Sequence, residues 1–156
     1  MKKYTGIIKK ILILVLAVIA MKNIFPFSPP KISVKVNHNK IETVKSDYSW
    51  FNKNRGGNSG LTDSFPNLSK QAKATLVRKD DEIKLSTKTI WKQPKNVSVN
   101  LLLFNKDGSN FVGFEEQILN GNSFNAPKEK GEYVYLVSNT WDETHWTSWV
   151  FKIKIE

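Results

Sequence analysis

The longest apolar stretch of the chain is Ile11-Leu-Ile-Leu-Val-Leu-Ala-Val-Ile-Ala-Met21, 11 residues without a charge, preceded by Lys2, Lys3, Lys9 and Lys10. Paired lysines ahead of an apolar run, with fewer charges just after it, mark a targeting segment whose amino terminus stays on the inner side of a membrane. The run is about half of the ~20 apolar residues that a spanning helix usually needs, and Thr5–Ile8 and Ile24–Phe27 extend its reach. Residues 1–25 are therefore expected to form a cytoplasmic stub and a signal-anchor helix, touching the membrane through residues 7–25. The carboxy-terminal part is then expected outside, in a single-pass arrangement. Cleavage near Ala20 is the alternative, since Val18-Ile19-Ala20 offers small or modest side chains to a signal peptidase, and it would make the product secreted. Retention is favoured because Met21 and Lys22 follow in place of a polar stretch, and Ile24-Phe25-Pro26-Phe27 prolongs the apolar character.

Beyond a proline-rich linker at residues 26–31, the period changes from helical to two, the signature of half-buried strands. Ile32, Val34 and Val36 alternate with Ser33 and Lys35, and Ile83 and Leu85 with Lys84 and Ser86. Val97, Val99, Leu101 and Leu103 share one face. At the carboxy terminus Trp149, Phe151, Ile153 and Ile155 are expected inward, with Val150, Lys152 and Lys154 on the opposite side. Turn-forming clusters separate the runs: Asn37–Asn39, Lys79–Asp81, Gln93–Asn96, Asn105–Gly108, Asn120–Asn122 and Lys128–Gly131. No soluble amphipathic helix is evident. The expectation is all-β, an antiparallel β-sandwich over residues 32–156 behind the amino-terminal hydrophobic helix.

Pro127-Lys-Glu-Lys-Gly131-Glu-Tyr133-Val-Tyr135 resembles the start of strand F in immunoglobulin-like domains, where a tyrosine corner precedes the buried cysteine position by two residues. Tyr135 stands where that cysteine would be, and Tyr133 would bond a backbone group of the preceding corner. Thr75–Ser86 likewise looks like the passage from strand A′ to strand B. The resemblance covers residues 74–155. Residues 32–73 then look like an added hairpin and a long loop, Asn52–Ser69, with Trp50 packing the hairpin onto the core. The loop contains Arg55-Gly-Gly-Asn-Ser-Gly60 but lacks the Gly-Lys-Ser/Thr ending of a phosphate-binding loop, so a mobile loop is the better expectation. Tyr48-Ser-Trp50, Glu82-Ile-Lys-Leu85 and Gly131–Tyr135 with Trp141 are together similar to small uncharacterised exported proteins of Gram-positive bacteria. Several of those carry a lipobox and cysteine, and this chain has neither. The resemblance implies a fold and a location, and no activity.

Composition narrows the classes. With no cysteine among 156 residues, no disulfide closes the domain and no lipid is attached through one, so five tryptophans and nine phenylalanines must supply the core. The net charge of +10 falls to +6 without the four amino-terminal lysines, 20 basic against 14 acidic residues. Outside a cell such charge meets wall polymers and lipid head groups, and nucleic acid is not expected as a partner. Twenty-two lysines against two arginines, with fifteen asparagines, point to an AT-rich bacterial genome.

Candidate chemistry is sparse. His38 and His145 are the two histidines, so neither a metal site nor a cofactor is expected. No Gly-x-Ser-x-Gly elbow and no evident carboxylate pair occur, and catalysis is not expected. His145 beside Asp142, Glu143 and Thr144 is taken as a polar loop tip. Trp141 and Trp149 fall in phase with inward faces, whereas Trp146 is placed at the loop tip, free to stack on a sugar ring or a partner side chain. In an immunoglobulin-like sandwich the loop carrying Trp91, Lys92 and Lys95 emerges at the same end as Trp146, His145, Asp142 and Glu143, giving a candidate ligand patch. Two functions stand: a membrane-anchored interaction module for a protein partner, and a binder of cell-wall carbohydrate or anionic polymer. An exported enzyme is a distant third.

Overall fold

The computed structural model describes residues 2–21, 24–26, 28–52, 56–60 and 63–156. Lys22, Phe27, Arg55 and the junction at residues 61–62 of the glycine-bearing loop lie outside the described residues. Helix α1 spans Lys2–Met21, and its side chains from residue 6 to residue 20 are exposed. Among the described residues, no helix is long and apolar enough to cross a membrane. The continuous uncharged run of α1, residues 11–21, rises ~16 Å, against a hydrocarbon thickness of about 30 Å.

Two sheets follow, mostly antiparallel. The smaller joins β2 (Asn39–Ile41), β1 (Ile32–Val36), β6 (Glu82–Thr87) and β9 (Ser123–Asn125) in that order. The larger runs β4 (Gly56–Gly60), β3 (Val44–Asn52), β11 (His145–Ile155), β10 (Gly131–Asp142), β7 (Asn96–Phe104) and β8 (Phe111–Glu116). A further strand, β5 (Ala74–Val77), lies parallel to the second half of β11, from Lys152↔Ala74 to Ile155↔Val77. Strand β11 is thus shared: β10 pairs along its length, β3 takes the first half of its other edge and β5 the second.

The alternating residues meet between the sheets. Ile32, Val34 and Val36 with Ile83, Leu85 and Phe124 face Val99, Tyr135, Val137, Trp149, Phe151, Ile153 and Ile155 in one buried cluster. Tyr135 stacks on Phe151 at 5.1 Å between centroids, and Phe124 tilts onto Tyr135 at 5.1 Å. Each such side chain taken fully from water contributes ~1.5–3 kcal/mol, and with no disulfide this is what closes the sandwich.

Three expectations are corrected. Residues 32–73 are not wholly an addition: β1 pairs with β6 and buries Ile32, Val34 and Val36, while β3 pairs with β11. The stretch expected as loop contains a helix, α2 (Phe65–Gln71), with Pro66 in its first turn, where the missing N–H costs nothing. Asp63 just ahead of it accepts bonds from the Ser64 N–H, Asn67 Nδ2 and Gln71 Nε2, placing an anion at the positive end of the helix. Val150 is not on a solvent face. Together with Leu102, Val134 and Leu136 it forms a second cluster on the outer side of the large sheet, capped by Leu68 and Ala72 of the α2 region and by Phe65 and Phe111.

The two tyrosines of β10 differ in their hydrogen bonds. The Tyr133 hydroxyl donates to the Glu129 carbonyl at 3.0 Å. The Tyr135 hydroxyl is buried with no partner among the described residues, and burial pushes its pKa far above the ordinary value. Tyr133→Phe is expected to cost ~1 kcal/mol, the net worth of one such bond, whereas Tyr135→Phe removes an unsatisfied group and should leave stability unchanged or raised. Denaturant midpoints of the two variants test this; a larger loss in Tyr135→Phe would show that its hydroxyl has a partner, such as an ordered water.

Candidate functional site

One end of the sandwich gathers three segments: the β10–β11 turn, the connection from β6 to β7, and residues 24–26 with 28–30. The turn comprises Glu143 and Thr144, between Asp142 at the end of β10 and His145 at the start of β11. Asp142 organises it. One carboxylate oxygen, Oδ1, accepts the Thr144 N–H (2.9 Å), the Thr144 hydroxyl (3.0 Å), the His145 N–H (2.9 Å) and His145 Nδ1–H (2.9 Å). Burial works against the charge, but the bonds from His145 and Thr144 prevail and hold the carboxyl down at about 2.

The β6–β7 connection is tied to this turn. The Trp141 indole N–H donates to the Lys92 carbonyl at 2.8 Å, and the Lys95 N–H donates to the Thr140 carbonyl at 2.8 Å. The third segment, assigned from sequence to a helix end and a proline-rich linker, is docked. The Trp50 indole donates to the Pro26 carbonyl at 2.9 Å within the protein, and the Lys92 N–H to the Ile24 carbonyl at 3.4 Å. Phe25 stacks flat on His145, 3.9 Å between centroids at an interplanar angle of 6°, with Lys92 Nζ 4.5 Å from the Phe25 ring. Trp50 stands edge-on to Trp141 and to His145, each at 4.9 Å. Phe25 and Pro26, which sequence reasoning missed as members of this site, are signalled by an aromatic-proline pair directly after the apolar run.

His145 is consequently no loop tip; it is 4 % exposed, walled by Phe25 and Trp50. It is the first residue of β11 and has the inward parity of that strand, shared with Thr147 and Trp149. Trp146 is corrected for the same reason. It is the second residue of β11, paired with Thr140 on one side and Ser49 on the other, and half-buried. By strand alternation it shares the outer face of the large sheet with Ser138 and Ser148, whose hydroxyls lie 3.0 Å apart. Trp91, Lys92 and Lys95 therefore do share an end with Asp142, Glu143 and His145, while Trp146 faces elsewhere. Trp50, Trp141, Tyr135 and Trp149 are buried, and Tyr133 packs against the core.

Asp142, His145 and Thr144 have the residue types of a hydrolytic triad, but not its geometry. The Thr144 hydroxyl (3.1 Å) and the Asp142 carboxylate both address Nδ1, whereas activation of a hydroxyl requires the nucleophile and the acid on opposite ring nitrogens. Among the described residues, no group of three or more His, Cys, Asp or Glu side chains is placed to hold a metal ion. The arrangement is a buried aromatic and hydrogen-bonded clamp, whose chemistry is to fix residues 24–26 against the domain.

Two outcomes follow. The Asp142 carboxyl lies below its ordinary value of 3.8, so its stabilisation is complete above pH ~4 and is lost as pH falls towards 2. A shift of this size corresponds to ~2 kcal/mol, and screening at a side chain 36 % exposed reduces it to about 1. Acid unfolding of the native protein and Asp142→Asn should thus converge by about 1 kcal/mol between pH 5 and 2; parallel curves would refute the assignment. In Trp50→Phe the Pro26 carbonyl loses its donor at a cost of ~1–3 kcal/mol, and limited proteolysis should cut within residues 22–31 before the domain unfolds. Unchanged protection there would mean that the stack of Phe25 on His145 suffices.

Comparison with protein-family models and with curated proteins gives no match.

Proposed function

We propose that the chain is a non-catalytic, immunoglobulin-like interaction module held close to the outer surface of a membrane by α1. Support for the immunoglobulin-like part comes from strand order. With β5 parallel to the last strand, β11, the sequence β5-β11-β10-β7-β8 matches A′-G-F-C-C′, and β1-β6-β9 matches A-B-E. The Tyr133 bond to Glu129 is that of a tyrosine corner. The observation that carries the tethering is the clamp on residues 24–26. A domain joined to its targeting helix by a free linker would wander, whereas this one grips its own chain a few residues after α1 ends, through Trp50, Lys92 and His145.

Because this end is occupied by the chain itself, partner recognition falls to the sides of the sandwich. Strand β8 ends the large sheet and presents Val112 (63 % exposed) and Phe114 (52 %), followed by exposed Glu115 and Glu116. An outer strand offers unpaired backbone donors and acceptors to an extended segment. Its apolar and acidic side chains fit a protein partner contributing a strand with apolar and basic residues. A second reading, a wall-polymer binder, is favoured by one observation: Trp146 lies on a sheet face beside Thr140, Ser49, Ser138 and Ser148, an indole among hydroxyls suited to a sugar ring.

The full chain expressed in a Gram-positive host is expected in the membrane fraction after alkaline washing; recovery in the medium without residues 1–20 would show cleavage and refute the tether. A photo-crosslinking residue at Val112 should give a discrete protein adduct that Phe114→Lys abolishes. Saturable binding to purified cell walls, weakened about tenfold by Trp146→Ala and indifferent to Phe114→Lys, would replace the protein-partner reading with the polymer reading.

A further inference from the structure

The clamp also decides which surface lies nearest the helix. α1 ends at Met21 and the gripped segment begins at Ile24, whose carbonyl accepts the Lys92 N–H. Three Cα steps separate Met21 from Ile24, at most ~11 Å of extended chain. Whatever takes up α1 is therefore within about 11 Å of residues 24–26 and of the β6–β7 connection that holds them.

The chemistry of this connection is distinctive. Ile90 is 67 % exposed and Ile24 46 %, with the half-buried Trp91 beside Ile90. Lys31, Lys88 and Lys95 are exposed around them, and Lys92 is half-buried over the Phe25 ring. No acidic residue occurs in 24–41 or in 83–106. Of the acids near this end, Asp142 is committed to His145 and Thr144, Glu143 is exposed at the turn, and Glu116 lines a cavity with Asn96. Between Pro26 with residues 28–31 and the connection lies an open cavity of about 770 Å³, lined by Pro29, Pro30, Lys31, Lys88, Ile90 and Trp91 among others. An isoleucine tip and an indole ringed by lysines have the composition of an interfacial membrane contact. Apolar tips enter the boundary of head groups and acyl chains, the indole sits at its level, and lysines near an anionic surface are attracted to it.

We propose that the connection Lys88–Lys95, with Lys31 and Ile24, docks on anionic lipid head groups of the same bilayer that holds α1, so that the domain stands on the membrane by this end. The proposal rests on the tethering proposed above. The occupant is lipid because the surface combines a positive rim with an apolar tip and is bound by chain length to the helix.

The absence of cysteine permits a single-site probe in the full chain. Ile90→Cys, carrying a polarity-sensitive fluorophore, is reconstituted into vesicles of phosphatidylcholine alone or with 30 % phosphatidylglycerol (roughly the charge density at which lysine contacts become appreciable). Lys106→Cys, in the turn after the far end of β7, is the control. Vesicle flotation is read first. In anionic vesicles the Ile90 probe should shift to the blue and be quenched by nitroxide-headgroup lipid. It should respond less in neutral vesicles and lose most of its response in Lys88→Gln/Lys95→Gln or in high salt, with the Lys106 probe silent throughout. Flotation with an Ile90 probe unchanged from detergent would overturn the docking while leaving the tether standing. Equal quenching in neutral and anionic vesicles would overturn the head-group assignment. Protection seen only in native membranes would point instead to an acidic membrane protein and overturn it too. Failure to float would overturn the tether itself.

Discussion

Strand β11 is the constraint on which the rest of the structure depends. Its inner face supplies Trp149, Phe151, Ile153 and Ile155 to the main core, and its outer face supplies Val150 to the cluster under α2. Its two edges hold β10 on one side and β3 and β5 on the other. Its first residue, His145, is the ring against which Phe25 and Trp50 pack. A chain without cysteine has only burial and backbone pairing with which to close two sheets, so one strand committed on every side takes over what a cross-link would otherwise do.

What could be read from the sequence was what the period of two carries. The inward residues of β1, β6 and the end of β11 were legible because each strand sets apolar side chains on one face and polar ones on the other. Val150 was not, because α2 covers the second face locally, and seven residues with Phe65 and Leu68 as anchors are too short to show a helical period. His145 and Trp146 were misplaced by their neighbours: Asp142, Glu143 and Thr144 look like a wide polar loop. Counting back by twos from Trp149 reaches Thr147 and then His145, which is the parity the strand follows, leaving Trp146 outward. The clamp itself was illegible. Trp50, Lys92 and Phe25 are distant in sequence and meet only because β3, the β6–β7 connection and the segment after α1 converge on one end.

That convergence changes what the loops at this end can do. Loops at the open end of a sandwich are commonly free to bind; here the β10–β11 turn spends Asp142 on holding itself and His145 on holding Phe25. The energetic logic favours structure over recognition. A carboxylate oxygen that accepts four donors is already satisfied, and an imidazole stacked at 3.9 Å has no free face on that side. The proposed recognition is accordingly assigned to surfaces where satisfaction is incomplete, along the outer strand β8 or across the hydroxyl-bearing face around Trp146.

Charge distinguishes the two regions. Residues 83–106 carry Lys84, Lys88, Lys92, Lys95 and Lys106 with no acid, whereas Glu115 and Glu116 stand on β8. Within about a Debye length, ~8–10 Å, of an anionic bilayer the lysines around Lys88–Lys95 are drawn in, while the two glutamates are repelled. On the proposed docking, this attraction would favour the Lys88–Lys95 connection facing lipid. On the proposed tether and docking, a clamp that fixes the basic end beside α1 would also set the direction in which β8 is presented.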